Sequence, residues 1–207
     1  FYLQTVLVRI LDWIKGRSSK IDCTLEDVDI GDVVRDVMVL FRSLLERKSI
    51  TVNFESNIEN YAIVDLRMAE SIVRNLLSNA IKYSSEGGHI DITVSQDGDC
   101  VKLSVRDYGV GMSADTINNL LNEDKHTSTL GTNNEHGSGL GFQIVKEFVA
   151  KSNGKLRILS AVGEGSEIEI SFVKSQNIIK KNETQELSLS YVNYSLDKET
   201  YAGSVVL

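Results

Sequence analysis

Asn75, Asn79 and Lys82 fall at i, i+4 and i+7 within LRMAESIVRNLLSNAIKY, a run of helical period. At about 100° per residue these three side chains share an arc of ~60°. They lie beside an apolar stripe made by Ala69, Ile72, Val73, Leu76, Leu77, Ala80 and Ile81. Two amides and an ammonium on one edge of a half-buried helix have a plausible chemistry. An amide carbonyl oxygen can ligate Mg²⁺, a hard cation that keeps several waters and shares its site with phosphates. A lysine one turn on can neutralise those phosphates. Alone, the same three residues read equally well as a solvated polar face.

Two other stretches carry similar potential. In RDYGVGM, Asp107 ends a strand-like run and is followed by Gly109 and Gly111. A buried carboxylate there can accept a hydrogen bond from an exocyclic amine, and the glycines let backbone approach a base or sugar. In isolation it is a turn after a strand. In NEHGSGLGFQIVKEF, Gly137, Gly139, Leu140 and Gly141 run directly into a helical pattern. N–H groups at a helix start, with the positive end of its dipole, favour a phosphate. The G-x-G-x-G spacing and the long polar stretch before it do not match the G-x-G-x-x-G dinucleotide fingerprint, which follows a strand. A Walker A loop, G-x-x-x-x-G-K-[ST], is absent.

The elements that must position these residues follow from periodicity. TLEDVDI alternates as a short strand, and Asp32 is expected to cap a helix whose stripe is Val33, Val37, Leu40, Leu44 and Leu45. SITVNFES and YAIVD read as strands flanking the turn into the helix that carries Asn75. Alternating runs around Ile90–Val94 and Val101–Val105, joined by Asp97-Gly98, predict a hairpin. A short helix capped by Ser113 follows, then a polar stretch, then the helix after the glycines, ended by Asn153-Gly154. KLRILSAVGEGSEIEISF is a second hairpin, turning at Gly163–Gly165. Adjacent hairpins mixed with helices predict an α+β fold: a mixed, mostly antiparallel sheet with helices on one face.

The bulk numbers narrow the classes. The chain has 207 residues, 42% hydrophobic and 25% charged, with a formal net charge of −7. An acidic balance argues against a nucleic-acid partner and gives no support for an anionic membrane surface. No apolar run approaches the ~18 residues of a membrane span. No signal peptide is expected, since Arg9 and Asp12 interrupt the opening segment. The two cysteines, Cys23 and Cys100, form no CxxC and read as reduced thiols, and the three histidines show no metal-ligand spacing. The first residue is Phe, so the chain is expected to be an excised piece of a longer protein.

Taken in order, NLLSNAIKY, DYGVGM, GSGLGFQIVKEFVAKSNGKL and GEGSEIEISF form a four-part signature. It resembles the ATP-binding catalytic domain of sensor histidine kinases, within the group that includes gyrase, Hsp90 and MutL. The match runs from about Ile21 to Val173. The resemblance implies a two-layer α/β sandwich of Bergerat type, in agreement with the α+β expectation from periodicity. It also implies boundaries: residues 1–20 a remnant of the second dimerisation helix, 21–174 the catalytic domain, and 175–207 a linker or tail that could lead to a receiver domain.

Residue by residue, the resemblance makes Asn79 the Mg²⁺ ligand and Asn75 its companion one turn earlier. Related ATPases carry a water-activating glutamate at that earlier turn; an amide cannot act as a general base. Lys82 matches a phosphate contact, and Tyr83 a residue that packs near the base or ribose. Asp107 matches the reader of the adenine amino group, with Gly109 and Gly111 shaping its pocket. Gly137, Gly139, Leu140 and Gly141 match the second glycine box, and Ser166 stands where a threonine is usual, assisting Asp107. Asn122 to His136 would be a lid, with Lys125, His126 or Thr132 toward phosphate. Leu121 replaces an expected phenylalanine.

The implied reaction passes the ATP γ-phosphoryl group to a histidine and then to a response-regulator aspartate. His89, His126 and His136 are not in a phosphoacceptor context, so the acceptor is expected outside this chain. Expected partners are Mg·ATP, the parent's phosphoacceptor helix and a receiver domain. The parent is expected to be a homodimer with this part in the cytoplasm and no direct membrane contact. The rival readings are an ATP-holding module without transfer, and a hydrolytic relative of gyrase.

Overall fold

The computed structural model describes residues 23–56, 60–122, 132, 140–176 and 192–194. In chain order the elements are β1 (Glu26–Asp29), α1 (Ile30–Arg47), β2 (Thr51–Ser56), β3 (Tyr61–Val64), α2 (Leu66–Tyr83), β4 (His89–Asp97), β5 (Cys100–Asp107), α3 (Ala114–Asn122), α4 (Leu140–Lys151), β6 (Lys155–Ala161), β7 (Gly165–Val173) and β8 (Val192–Tyr194). The main sheet has the order β6-β7-β5-β4-β2-β8. β2 runs parallel to β4, and every other neighbour is antiparallel. β1 and β3 form a separate antiparallel pair. This is the α+β mixed sheet expected from periodicity.

Strand parity makes the two layers. Val52 and Phe54, Ile90, Ile92 and Val94, Val101, Leu103 and Val105, and Ile170 and Phe172 are buried and join α1, α2 and α4 in one core. The opposite face is polar: Ser104 donates to Glu167, and Lys102 and Arg157 both pair with Glu169. α2 fills the centre of the helical layer, burying Ile72, Val73, Leu76, Leu77, Ala80 and Ile81. Each large side chain of that stripe is worth about 1.5–3 kcal/mol when fully buried. The Asp65 side chain caps α2 by accepting from the Arg67 and Met68 N–H groups.

Two local expectations are corrected. The cap of α1 is Asp29, not Asp32: β1 runs directly into the helix, and the Asp29 carboxylate accepts from the Gly31 and Asp32 N–H groups. Asp32 stands in the first turn, paired with Arg35 at 2.6 Å. The buried face of α1 is centred on Val34, Val37, Met38 and Leu45, which turns Leu40 and Leu44 outward. The hairpin turns match expectation, with Gly98 at φ 59° and Gly163 at φ 83°. Asn153 closes α4 in the left-handed region at φ 51°.

Residues 1–20 and most of 175–207, including the segment read as a receiver approach, lie outside the described residues. Within the part read as linker, Val192–Tyr194 adds an antiparallel edge to β2. No helix among the described residues is long and apolar enough to cross a membrane.

Candidate active site

Strand parity buries a carboxylate. Along β5, Val101, Leu103 and Val105 point into the core, and Asp107 occupies the next inward position. The carboxylate therefore ends an apolar row and is only 6% exposed. β4 and β7 flank it, with Ile90 and Ser166 as its pairing partners. Burial pushes the Asp107 carboxyl up from its ordinary value, and hydrogen bonds from the Gly109 and Ser166 backbones pull it part of the way back. The Gly109 N–H donates to Oδ1 at 3.0 Å.

The glycines after Asp107 allow close backbone packing. A Cβ at Gly109 would overlap the Tyr83 carbonyl, and one at Gly111, which has φ 64°, would overlap the Ala161 carbonyl. The Val110 N–H donates to the Tyr83 carbonyl at 3.3 Å, and the Val110 carbonyl accepts from the Gly163 N–H at 2.8 Å. The loop after β5 is thus seated against both the end of α2 and the β6–β7 turn. Gly109→Ala is expected to cost about 1–3 kcal/mol by overpacking, read as a lower midpoint in urea unfolding.

Ser166 meets Asp107 through its main chain. Its Oγ lies 3.0 Å from Ser160 Oγ, and it is its backbone that bonds the carboxylate. Ser160 was not found by sequence reasoning. Its hydroxyl donates to the Gly165 carbonyl at 2.7 Å and accepts from the Met112 N–H at 2.8 Å, tying two loops together. Gly165 was also missed as a site-shaping residue; at φ 83°, a Cβ there would overlap the Asp107 carbonyl. The GEG turn was visible in the sequence, but the contact with Asp107 depends on the β5–β7 register.

On α2, Asn75 is buried, and its amide donates to the Ser71 carbonyl at 2.8 Å. Its Oδ1 faces Gly141 in the first turn of α4, where a Cβ would stand 2.6 Å away. Asn79 is half-buried one turn on, and Lys82 lies near Tyr83: Nζ is 3.0 Å from the Tyr83 hydroxyl and 4.6 Å from the ring centroid. Leu140 and Gly141 begin α4, which packs on α2; Gly137 and Gly139 lie outside the described residues. So do Lys125 and His126, whereas Thr132 sits against the end of α2.

The matched sequence model is decisive for the family. The model for histidine kinase-, DNA gyrase B- and HSP90-like ATPases matches residues 64–176, more than half of the chain. The chain belongs to this family. Among curated relatives, it is 29% identical over 184 residues to the cell-division control histidine kinase PdhS of Brucella canis, covering 83% of this chain and 18% of that protein. The chain therefore spans about a fifth of the length of the curated relatives it matches. ShkA, solved full-length in complex with AMPPNP, shares the fold with a TM-score of 0.68 at 24% identity, over 84% of this chain and 36% of that one. The histidine kinase ThkA, solved in complex with the response regulator protein TrrA, gives a TM-score of 0.63 at 22% identity, over 84% of this chain and 48% of that one.

Proposed function

We propose that this ATPase-family domain is the catalytic part of a sensor histidine kinase. It holds Mg·ATP between β5, α2 and the start of α4, and presents the γ-phosphate to a histidine outside these 207 residues. The observation that carries the reading is the buried Asp107 carboxylate, joined through Gly109 and Val110 to the end of the helix bearing Asn75, Asn79 and Lys82. An acceptor for a base amine and a polar edge for phosphates are thereby held in one rigid frame.

In this reading Asp107 accepts from the adenine amino group, and Gly109 and Gly111, packed against the Tyr83 and Ala161 carbonyls, shape the pocket around it. Tyr83 lies beside the base or ribose. Lys82 faces the phosphates, with Leu140 and Gly141 at the start of α4 on the other side. Thr132 lies nearby and Ser166 steadies Asp107. Among the described residues no cluster of three or more imidazole, thiolate or carboxylate groups could hold a metal. The Asn79 amide oxygen is a hard donor suited to Mg²⁺. A bound Mg²⁺ would neutralise phosphate charge, and this chain's part is to orient the nucleotide and supply Lys82 and backbone N–H groups to the developing charge. The γ-phosphorus–oxygen bond breaks as a bond to a histidine nitrogen forms, leaving ADP.

Asn75 favours this over hydrolysis. Its amide cannot take a proton from water, and it is occupied with the Ser71 carbonyl. The ThkA complex supports a response-regulator receiver as the next partner. In the parent, a homodimer whose helical hairpin carries the acceptor histidine is the partner we infer for this domain. The test is to supply that helix and [γ-³²P]ATP. Acid-labile, base-stable label on the helix is expected; bound ATP without label would leave a nucleotide-holding module instead.

A further inference from the structure

Lys48, which follows α1, is buried at 5% exposure, unusual for a lysine. Its ammonium meets three acceptors: the Ile81 carbonyl at 2.7 Å, the Lys82 carbonyl at 3.1 Å and Thr132 Oγ1 at 2.8 Å. Three donors and three acceptors satisfy the charge. The carbonyls belong to the last turn of α2, where a helix leaves carbonyls unpaired and carries the negative end of its dipole. Thr132 adds to the same turn: its N–H donates to the Lys82 carbonyl at 3.2 Å, and its hydroxyl lies 2.8 Å from the Ser84 carbonyl. From the other side, the Val110 N–H holds the Tyr83 carbonyl. The turn carrying Lys82 and Tyr83 is therefore gripped on both flanks.

We infer that Lys48, with Thr132, is a positioning residue for the phosphate end of the site. By fixing the backbone of the last turn of α2, it sets where Lys82 can reach. A cation here repels the Lys82 ammonium from the helix end, and the carbonyls it occupies are unavailable to that ammonium. Lys48 touches no nucleotide in this scheme; it acts through Lys82. Asp107 lies on the sheet and is held by Gly109 and Ser166 instead, so its hydrogen bond to the base amine does not depend on Lys48.

The inference rests on the ATP-site reading, and its test separates the two. The 207-residue chain and its Lys48→Met, Lys48→Arg and Thr132→Val variants are titrated with Mg·ATP and with adenosine, alongside thermal melts. Lys48→Met keeps the stem and removes the charge. It is expected to weaken Mg·ATP about tenfold, the order of one lost charge-assisted contact, with a clearly smaller loss for adenosine. Lys48→Arg should recover part of the loss. Thr132→Val should weaken Mg·ATP less, and its effect should not add to that of Lys48→Met, because the two side chains are bonded. Parallel losses of ATP and adenosine affinity, or no change in either, would overturn the positioning role. If Lys48→Met does not fold, a Thr132→Val chain with unaltered ATP-to-adenosine selectivity would do so. A wild type that binds neither nucleotide would refute the ATP-site reading itself, and the inference with it.

Discussion

Asp107→Asn is expected to weaken ATP about ten- to a hundredfold, and its stability relative to wild type is expected to be highest at neutral pH and to decline on acidification. Burial raises the folded-state pKa of Asp107, so the folded chain holds this proton more tightly than the unfolded chain. Where the unfolded carboxyl has ionised, keeping a charge in this pocket costs stability, and the asparagine variant avoids that cost. As pH falls through the raised folded pKa toward the unfolded value, wild-type Asp107 protonates and the advantage of the variant disappears. Melting both proteins from neutral pH down into the carboxylate range checks the direction. A variant gap that widens on acidification would contradict it.

The binding loss follows from acceptor count. Ionised Asp107 offers acceptors to the Gly109 and Ser166 backbones and still has capacity for a base amine. An asparagine has one acceptor oxygen and turns an NH₂ toward donors. A hydrogen bond to a charged group is worth about 1.5–3 kcal/mol, which sets the expected range. Asp107→Ala should further flatten the preference for ATP over GTP, since guanine presents a carbonyl where adenine presents its amine. Unchanged affinity and unchanged base preference in both variants would remove Asp107 from the site.

The hairpins and the polar edge of α2 were legible in the sequence. Asp97-Gly98 and the GEG turn set the two hairpins, and the stripe of α2 placed Asn75, Asn79 and Lys82 on one edge because helical period alone decides that. What the sequence could not carry was pairing at a distance. The contacts of Gly165 with Asp107, of Ser160 with Ser166 and of Lys48 with the end of α2 join residues whose proximity depends on sheet register or tertiary packing. Lys48 in particular sits in an exposed-looking ERKS stretch, and nothing in its neighbours marks it as buried. The Asp29 cap was missed for a different reason: two aspartates three residues apart both fit a helix start, and only the end of β1 chooses between them.

Asn79→Ala should separate metal from base. The residue lies within α2, where alanine is the better helix former by several tenths of a kcal/mol (about 0.5). The thermal midpoint is therefore expected to hold or rise slightly, so a loss of function cannot be blamed on unfolding. If the Asn79 amide oxygen ligates the nucleotide's cation, its removal eliminates the extra ATP affinity that Mg²⁺ confers while leaving adenosine binding, which depends on Asp107, unchanged. Phosphoryl transfer to a supplied histidine helix should fall about a hundredfold, the scale seen when one preorganised charge-stabilising group is lost. The paired measurement is ATP affinity with Mg²⁺ and with EDTA, in wild type and variant. Asn79→Ala should bind ATP equally with and without the metal, and Asp107→Asn should retain the metal dependence at lower overall affinity. That crossed pattern is specific to a site with a base reader on β5 and a cation ligand on α2. Retention of full Mg²⁺ dependence in Asn79→Ala would move the ligand elsewhere and leave α2 with only its solvated polar edge.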